Sequence, residues 1–306
     1  LHTAYRRQRQ MCIRDSSKGS DAKDELHAHE LREEAVAKAR EYAAAGDPVL
    51  FIGGLDHEHD LEGRDRTDMR LPYGQDELIE ALLEAAPNTI LAFVAGSPIE
   101  MPWADKAKAI VWNWYAGCES GAALAEVLFG RVNPSGHLPE TFPIALADEP
   151  AHRIGTFGLE GHVDYAEDIY VGYRYFDTRQ IPVLFPFGHG LSYTDFAFRD
   201  LDVRQVDDEI RVTFTVENIG DCAGKAVAQV YLGLEGTGED RPAKELKGFA
   251  KVELDAGEFR EVTVAMPAAK ALRYWSNESG AYALAPEASV FVGESVEDIR
   301  LSGRVA

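Results

Sequence analysis

Apolar and polar positions divide the chain into two regimes. Over residues 24–45, Leu26, Leu31, Val36 and several alanines recur among Glu, Lys and Arg, and Gly46 and Pro48 follow, which predicts a helix with a defined stop. Residues 49–54 are continuously apolar and end in two glycines, predicting a strand buried on both faces of a parallel sheet. The alternation then repeats as a helix over 75–85, a strand over 89–94, a helical turn near 102–106, a strand over 109–114 and a helix over 119–129. This is the pattern of a wound α/β sheet. Residues 133–193 are rich in Pro, Gly and aromatics and too apolar for a flexible linker, so they read as an ordered connector. Beyond Phe196, apolar runs at 210–216, 227–232, 259–264 and 290–292 alternate with polar turns, the spacing of a β-sandwich. The expected architecture is an incomplete doubly wound, flavodoxin-like, mostly parallel sheet over 17–145. A connector over 146–195 and an all-β immunoglobulin-like sandwich over 196–306 follow it.

Composition agrees with this division. A length of 306 residues corresponds to about two domains, and 45% apolar with 27% charged residues excludes disordered, collagen-like and coiled-coil chains. No stretch approaches the roughly 18 apolar residues of a membrane helix, so no helical span is expected. The net charge of −21 repels phosphate backbones and argues against a nucleic-acid partner. Cys12, Cys118 and Cys222 form no CxxC, which suggests neither a disulfide framework nor a zinc-thiolate site and leaves the compartment open. Residues 1–16, LHTAYRRQRQMCIRDS, stand apart, with four arginines and no helical or strand period. Tyr5 to Ser16 resembles one translated frame of a sequencing adapter. The segment is therefore read as an artefact, with the protein's own N-terminus expected upstream.

The chemistry concentrates in the loop after the first strand, GGLDHEHDLEGRDRTDMRLP, residues 53–72. Four Asp, two Glu, three Arg and two His in that span do not suit a core. Loops leaving the carboxyl ends of parallel strands form the ligand crevice of an open α/β sheet. One reading is a solvated loop whose Asp and Arg pair weakly at the surface. The other is a glutamate held near the arginines and used as a proton donor. His57, Glu58, His59, Asp60 and Glu62 supply ligand types for a divalent ion, but no HExxH or other defined spacing is present, and no metal or cofactor is expected. GxSxG and GxxxxGK[ST] are absent, and Gly188-His189-Gly190 lacks a third glycine and opens no helix, so serine-hydrolase and nucleotide readings are dropped.

The segment from Glu62-Gly63-Arg64-Asp65-Arg66 through Leu71-Pro72 to Gln75 and Leu78-Ile79 resembles the EGxDRxxxxLPxxQxxLI signature of glycoside hydrolase family 3, the β-glucosidase and β-xylosidase family. Further matching blocks follow in the family's order: 96–103, 114–121, 128–143, 168–176 and 185–194. The resemblance implies the C-terminal part of a three-part design, an α/β sandwich domain and a fibronectin type III-like domain. A barrel carrying the aspartate nucleophile lies outside this chain. It implies a retaining β-glycosidase acting on terminal β-linked sugars, with Glu62 as general acid/base and Glu58 as second choice. The chain alone is expected to be inactive. His59 stands where many relatives have tryptophan, and Arg64 where tyrosine or phenylalanine is common. The His59 neighbourhood most resembles members with a module inserted into the sandwich domain, upstream of residue 17 here. Trp103, Trp112 and Trp114 are read as core, and Tyr170, Tyr173, Tyr175 and Phe176 as the adhesive of the connector. The competing class is a non-catalytic carbohydrate-binding or adhesion protein displaying an immunoglobulin-like module.

Overall fold

A computed structural model describes residues 22–155, 157 and 163–305, with side chains from residue 29 onward. The adapter-like segment 1–16 lies outside the described residues. The chain forms two compact units, one up to Leu124 and one from Ala125.

The first unit holds a three-stranded parallel sheet in the order β1-β2-β3: β1 (Leu50–Gly54), β2 (Ile90–Val94) and β3 (Ala109–Trp112). Helix α1 (Ala22–Ala44) precedes β1 and packs on α2 (Gln75–Ala85), which joins β1 to β2. Ile79, Leu82 and Leu83 of α2 are buried, the i, i+3, i+4 stripe of a helix seated on a core. A 3-10 turn, Ala104–Lys106, links β2 to β3, and α3 (Ser120–Leu128), within which the first unit ends, follows. Central β2 behaves as its apolar run predicts, with Leu91, Ala92 and Phe93 all buried. The expectation that β1 is buried on both faces is corrected: Phe51 is buried, but Ile52 is 55% exposed. β1 pairs only with β2 and so forms one edge of the sheet among the described residues.

In the second unit, β4 (Phe142–Pro143) pairs with β5 (Val183–Phe185), and short helices α4 (Pro150–Ile154) and α5 (Tyr173–Arg179) lie between them in sequence. Tyr170, Tyr175 and Phe176 are buried together. Tyr173 stacks on Phe187 at 4.5 Å, and its hydroxyl accepts the Leu246 N–H at 2.8 Å, fastening the connector to the sandwich. One face of the sandwich is β10-β7-β6, from β6 (Phe196–Val206), β7 (Glu209–Asn218) and β10 (Phe259–Pro267). The other is β14-β13-β8-β9, from β8 (Gly224–Glu235), β9 (Glu245–Leu254), β13 (Glu287–Gly293) and β14 (Ile299–Val305). Ile210, Val212, Phe214 and Val216 of β7 face Ala226, Ala228, Val230 and Leu232 of β8 in one core, each set at the strand period of two. A hairpin of β11 (Arg273–Ser276) and β12 (Ala281–Leu284) follows the short helix α6 (Ala268–Ala271). No helix among the described residues is long and apolar enough to cross a membrane.

Candidate active site

Because β1, β2 and β3 are parallel, the loops 55–74, 95–103 and 113–119 leave the same end of the sheet. The first is gripped at both ends. Gln75, opening α2, accepts the Gly54 N–H through Oε1 at 2.9 Å and donates from Nε2 to Gly54 O at 2.9 Å and Pro72 O at 3.1 Å. Gly54 sits at φ +138°, and a Cβ there would lie 2.0 Å from Val94 O, so only glycine permits this close passage.

Between these ends the aspartates act as tethers. Asp56 accepts the backbone N–H of Glu58 and His59, the His59 Nδ1–H at 2.8 Å, and the Tyr73 hydroxyl at 2.7 Å. Burial opposes its ionisation, but the bonds from His59, Tyr73 and the Glu58 amide outweigh it and lower the carboxyl to about 2. Asp60 crosses to the other two loops, accepting the Gly96 N–H at 3.2 Å and the Tyr115 hydroxyl at 2.7 Å. Burial, then the neighbouring Asp60 carboxylate, raises the Tyr115 phenol to about 12. Arg66 donates to Ser97 Oγ at 3.0 Å and to Pro98 O at 2.8 Å, and Arg64 to Glu58 O at 2.7 Å. Loop arginines thus bond carbonyl and hydroxyl oxygens, and the one ion pair within this loop among the described residues is His59–Asp56. The reading of a solvated loop whose Asp and Arg pair weakly at the surface is corrected in its pairing: among the described residues no Asp–Arg pair forms within the loop.

Leu61 and Arg64 form an isolated antiparallel bridge that closes a tight turn with Glu62 and Gly63 at its corners. Gly63 has φ +82°, a conformation that such a turn assigns to glycine. Glu62 and Glu58 are both exposed, and among the described residues neither carboxylate has a hydrogen-bond or ion-pair partner. His57, Glu58, His59, Asp60 and Glu62 do not converge: no group of three or more potential ligands among the described residues is placed to hold a metal ion.

Trp103 is fully buried, stacks on Phe93 at 5.4 Å and donates to Asp76 Oδ1 at 2.8 Å. Burial pushes the Asp76 carboxyl up, against the pull of that indole N–H. Trp112 packs against both Phe93 and Trp114 at 5.9 Å, half-buried. Sequence reasoning missed the roles of Asp60, Tyr115 and Gln75. Gln75 falls within the recognised signature, whereas the Asp60–Tyr115 bond spans 55 residues and leaves no local signal.

Comparison with known proteins follows the same lines. Residues 9–193 match the glycosyl hydrolase family 3 C-terminal domain, and residues 226–296 match the fibronectin type III-like domain. A "Probable beta-glucosidase I" of Emericella nidulans is 44% identical over 262 residues, covering 83% of this chain and 31% of that protein. "Thermostable beta-glucosidase B" of Acetivibrio thermocellus is 41% identical, covering 90% of this chain and 37% of that protein. The crystal structure of a β-glucosidase from Kluyveromyces marxianus in complex with glucose superposes with a TM-score of 0.83 at 42% identity, over 90% of this chain and 34% of its own. The chain therefore spans about a third of the length of these relatives. Matched over more than half its length, with the signature loop at the carboxyl end of a parallel sheet, it belongs to glycosyl hydrolase family 3.

Proposed function

We propose that this chain supplies the general acid/base of a retaining β-glucosidase, with Glu62 in that role. The observation that supports the reading is a carboxylate with no partner among the described residues, at the corner of a turn whose flanks are fastened by Asp56, Asp60 and Arg66. Membership of the family and the names of its relatives support the substrate class, terminal β-linked glucosides.

In a retaining reaction a nucleophilic carboxylate attacks the anomeric carbon while an acid about 5–5.5 Å away protonates the leaving oxygen. The same acid, now a carboxylate, then takes a proton from the water that opens the glycosyl-enzyme. Glu62 performs the proton half, and the nucleophile comes from polypeptide outside this chain. A general acid works best where water is excluded. Exposed here, Glu62 acquires that environment when sugar and the nucleophile-bearing polypeptide cover the turn.

The test has two arms. This chain alone releases no nitrophenol from a nitrophenyl β-glucoside, and appreciable turnover defeats the proposal. In the full-length polypeptide, Glu62→Gln keeps much of its first-step rate with a dinitrophenyl leaving group, which needs no protonation. With a poor leaving group it loses about a hundredfold or more. Equal losses rule out the acid role, and the same pattern in Glu58→Gln transfers it to Glu58.

A further inference from the structure

A cavity of about 370 Å³ lies wholly within the unit from Ala125 onward, between the Gly188-His189-Gly190 segment and the sandwich. Its volume is at the low end for small-molecule sites, which pair a concave space with a few convergent polar groups. Its walls carry donors and acceptors left unused by the fold. The His189 ring stacks on Phe185 at 5.2 Å, and neither nitrogen has a hydrogen-bond partner among the described residues. The Asp195 carboxylate accepts no hydrogen bond among the described residues either. Among the described residues the Glu294 carboxylate uses only Oε2, toward Arg300 Nη2 at 3.0 Å. Phe196 lies in the lining as an apolar wall.

Other groups keep this arrangement rigid. His137 Nδ1 donates to Gly188 O at 2.6 Å, and Gln229 Nε2 donates to Gly188 O and Glu294 O. A Cβ on Gly190 would lie 2.3 Å from Gly136 O, so the segment fits only as glycine. Burial pushes Glu294 up and both His137 and His189 down, which favours neutral imidazoles at the wall. Arg300 is held by Asp298 at 2.5 Å as well as by Glu294, so no free guanidinium waits for an anion.

We infer that this cavity binds a neutral polyhydroxylated ligand of one or two sugar rings. A sugar hydroxyl both donates and accepts, which suits a wall offering an imidazole, two carboxylates and an apolar side together. The lining's two cations are already paired, Lys225 with Glu253 at 3.6 Å and Arg300 with Glu294 and Asp298, so the unpaired Asp195 carboxylate is left to repel an acidic sugar. The inference does not depend on the role of Glu62, which lies in the other unit.

Titration calorimetry of the purified chain with glucose, cellobiose and glucuronate tests it. The expected result is saturable one-to-one binding of glucose or cellobiose, with glucuronate at least tenfold weaker. Asp195→Asn and His189→Ala each weaken binding about tenfold, the scale of one lost hydrogen bond to a charged or buried partner. Glu62→Gln leaves it unchanged. Should His189→Ala unfold, Asp195→Asn decides, because Asp195 is exposed and, among the described residues, only its backbone carbonyl, which accepts the Ile219 N–H at 2.9 Å, bonds in the fold. Absence of saturation, binding that survives both variants, equal affinity for glucuronate, or loss on Glu62→Gln each overturns the inference. None of these outcomes bears on the leaving-group test of Glu62.

Discussion

Removing the clamp at the base of the signature loop isolates what holds it. Gln75→Ala deletes three hydrogen bonds, two to Gly54 and one to Pro72, from a half-buried side chain. Each is worth about 0.5–1.5 kcal/mol net, so the three together span roughly 1.5–4.5 kcal/mol. Water reaches the edge strand and re-solvates part of what is lost, which places the expected loss near 2 kcal/mol. With a urea slope of about 1–3 kcal/mol/M, the midpoint falls by about 1 M. Trp103, Trp112 and Trp114 lie in the unit up to Leu124 and Trp275 in the other, so fluorescence follows chiefly the unit in question. Gln75→Met, which keeps the volume and none of the bonds, shows the same fall. If Gln75→Met retains the parent midpoint, the residue acts by packing and the clamp argument is wrong, and an unchanged midpoint in Gln75→Ala refutes it outright.

Three other outcomes follow from the same kind of reasoning. Asp56 is held near 2 against an ordinary 3.8, so its ionised form stabilises the fold above pH 4, and that contribution disappears between about pH 4 and 2. Asp56→Asn therefore flattens this part of the urea-midpoint-versus-pH curve, and a curve parallel to the parent's contradicts the assignment. Buried Glu245 receives Arg241 at 2.7 Å, Lys247 at 3.5 Å and Arg174 at 3.6 Å, so Glu245→Ala leaves three cations facing one another. The expected loss is about 3 kcal/mol, or roughly 10 °C by scanning calorimetry, and a drop under about 2 °C negates it. Exposed Ile52 on edge strand β1 invites strand addition, and Ile52→Lys slows concentration-dependent light scattering without lowering the thermal midpoint; unchanged scattering counts against the edge as the sticky surface.

Local pattern and long-range order separate cleanly in this chain. The apolar runs at β1 and β2 look alike in sequence, and both form strands, yet only β2 is enclosed. Periodicity reports that a segment wants to be extended and apolar, whereas strand order decides which of two such segments has neighbours on both sides. The sandwich was more legible, because alternation at Ile210, Val212, Phe214 and Val216 states directly which face is inside. In the loop, composition revealed a polar, chemically rich segment, and the glycine of Glu62-Gly63 marked a turn. Composition could not reveal partners: Asp60 to Tyr115 and Arg66 to Ser97 join residues far apart in the chain, and equally acidic loops without such partners read the same way.

Side-chain length separates the loop's carboxylates with one exception, Asp65, which takes no hydrogen bond among the described residues. Asp56, Asp60 and Asp68 all accept backbone N–H groups, from Glu58 and His59, from Gly96, and from Arg70 respectively, as short carboxylates near turns do. Glu58 and Glu62, one methylene longer and interleaved with them, take no such bond. Asp56, Asp60 and Asp68 thereby use backbone donors of this loop and, through Gly96, of the neighbouring loop in fixing its path, and ordering a backbone residue costs about 1–2 kcal/mol that these tethers offset before anything binds. A glutamate on a turn already ordered in this way meets an incoming sugar without first breaking an intrachain bond or freezing its own backbone. That is the preorganisation that positioned proton transfer requires, and it is why the place of Glu62 at the corner of the Leu61–Arg64 turn, more than the acidity of the loop as a whole, supports the proposed role.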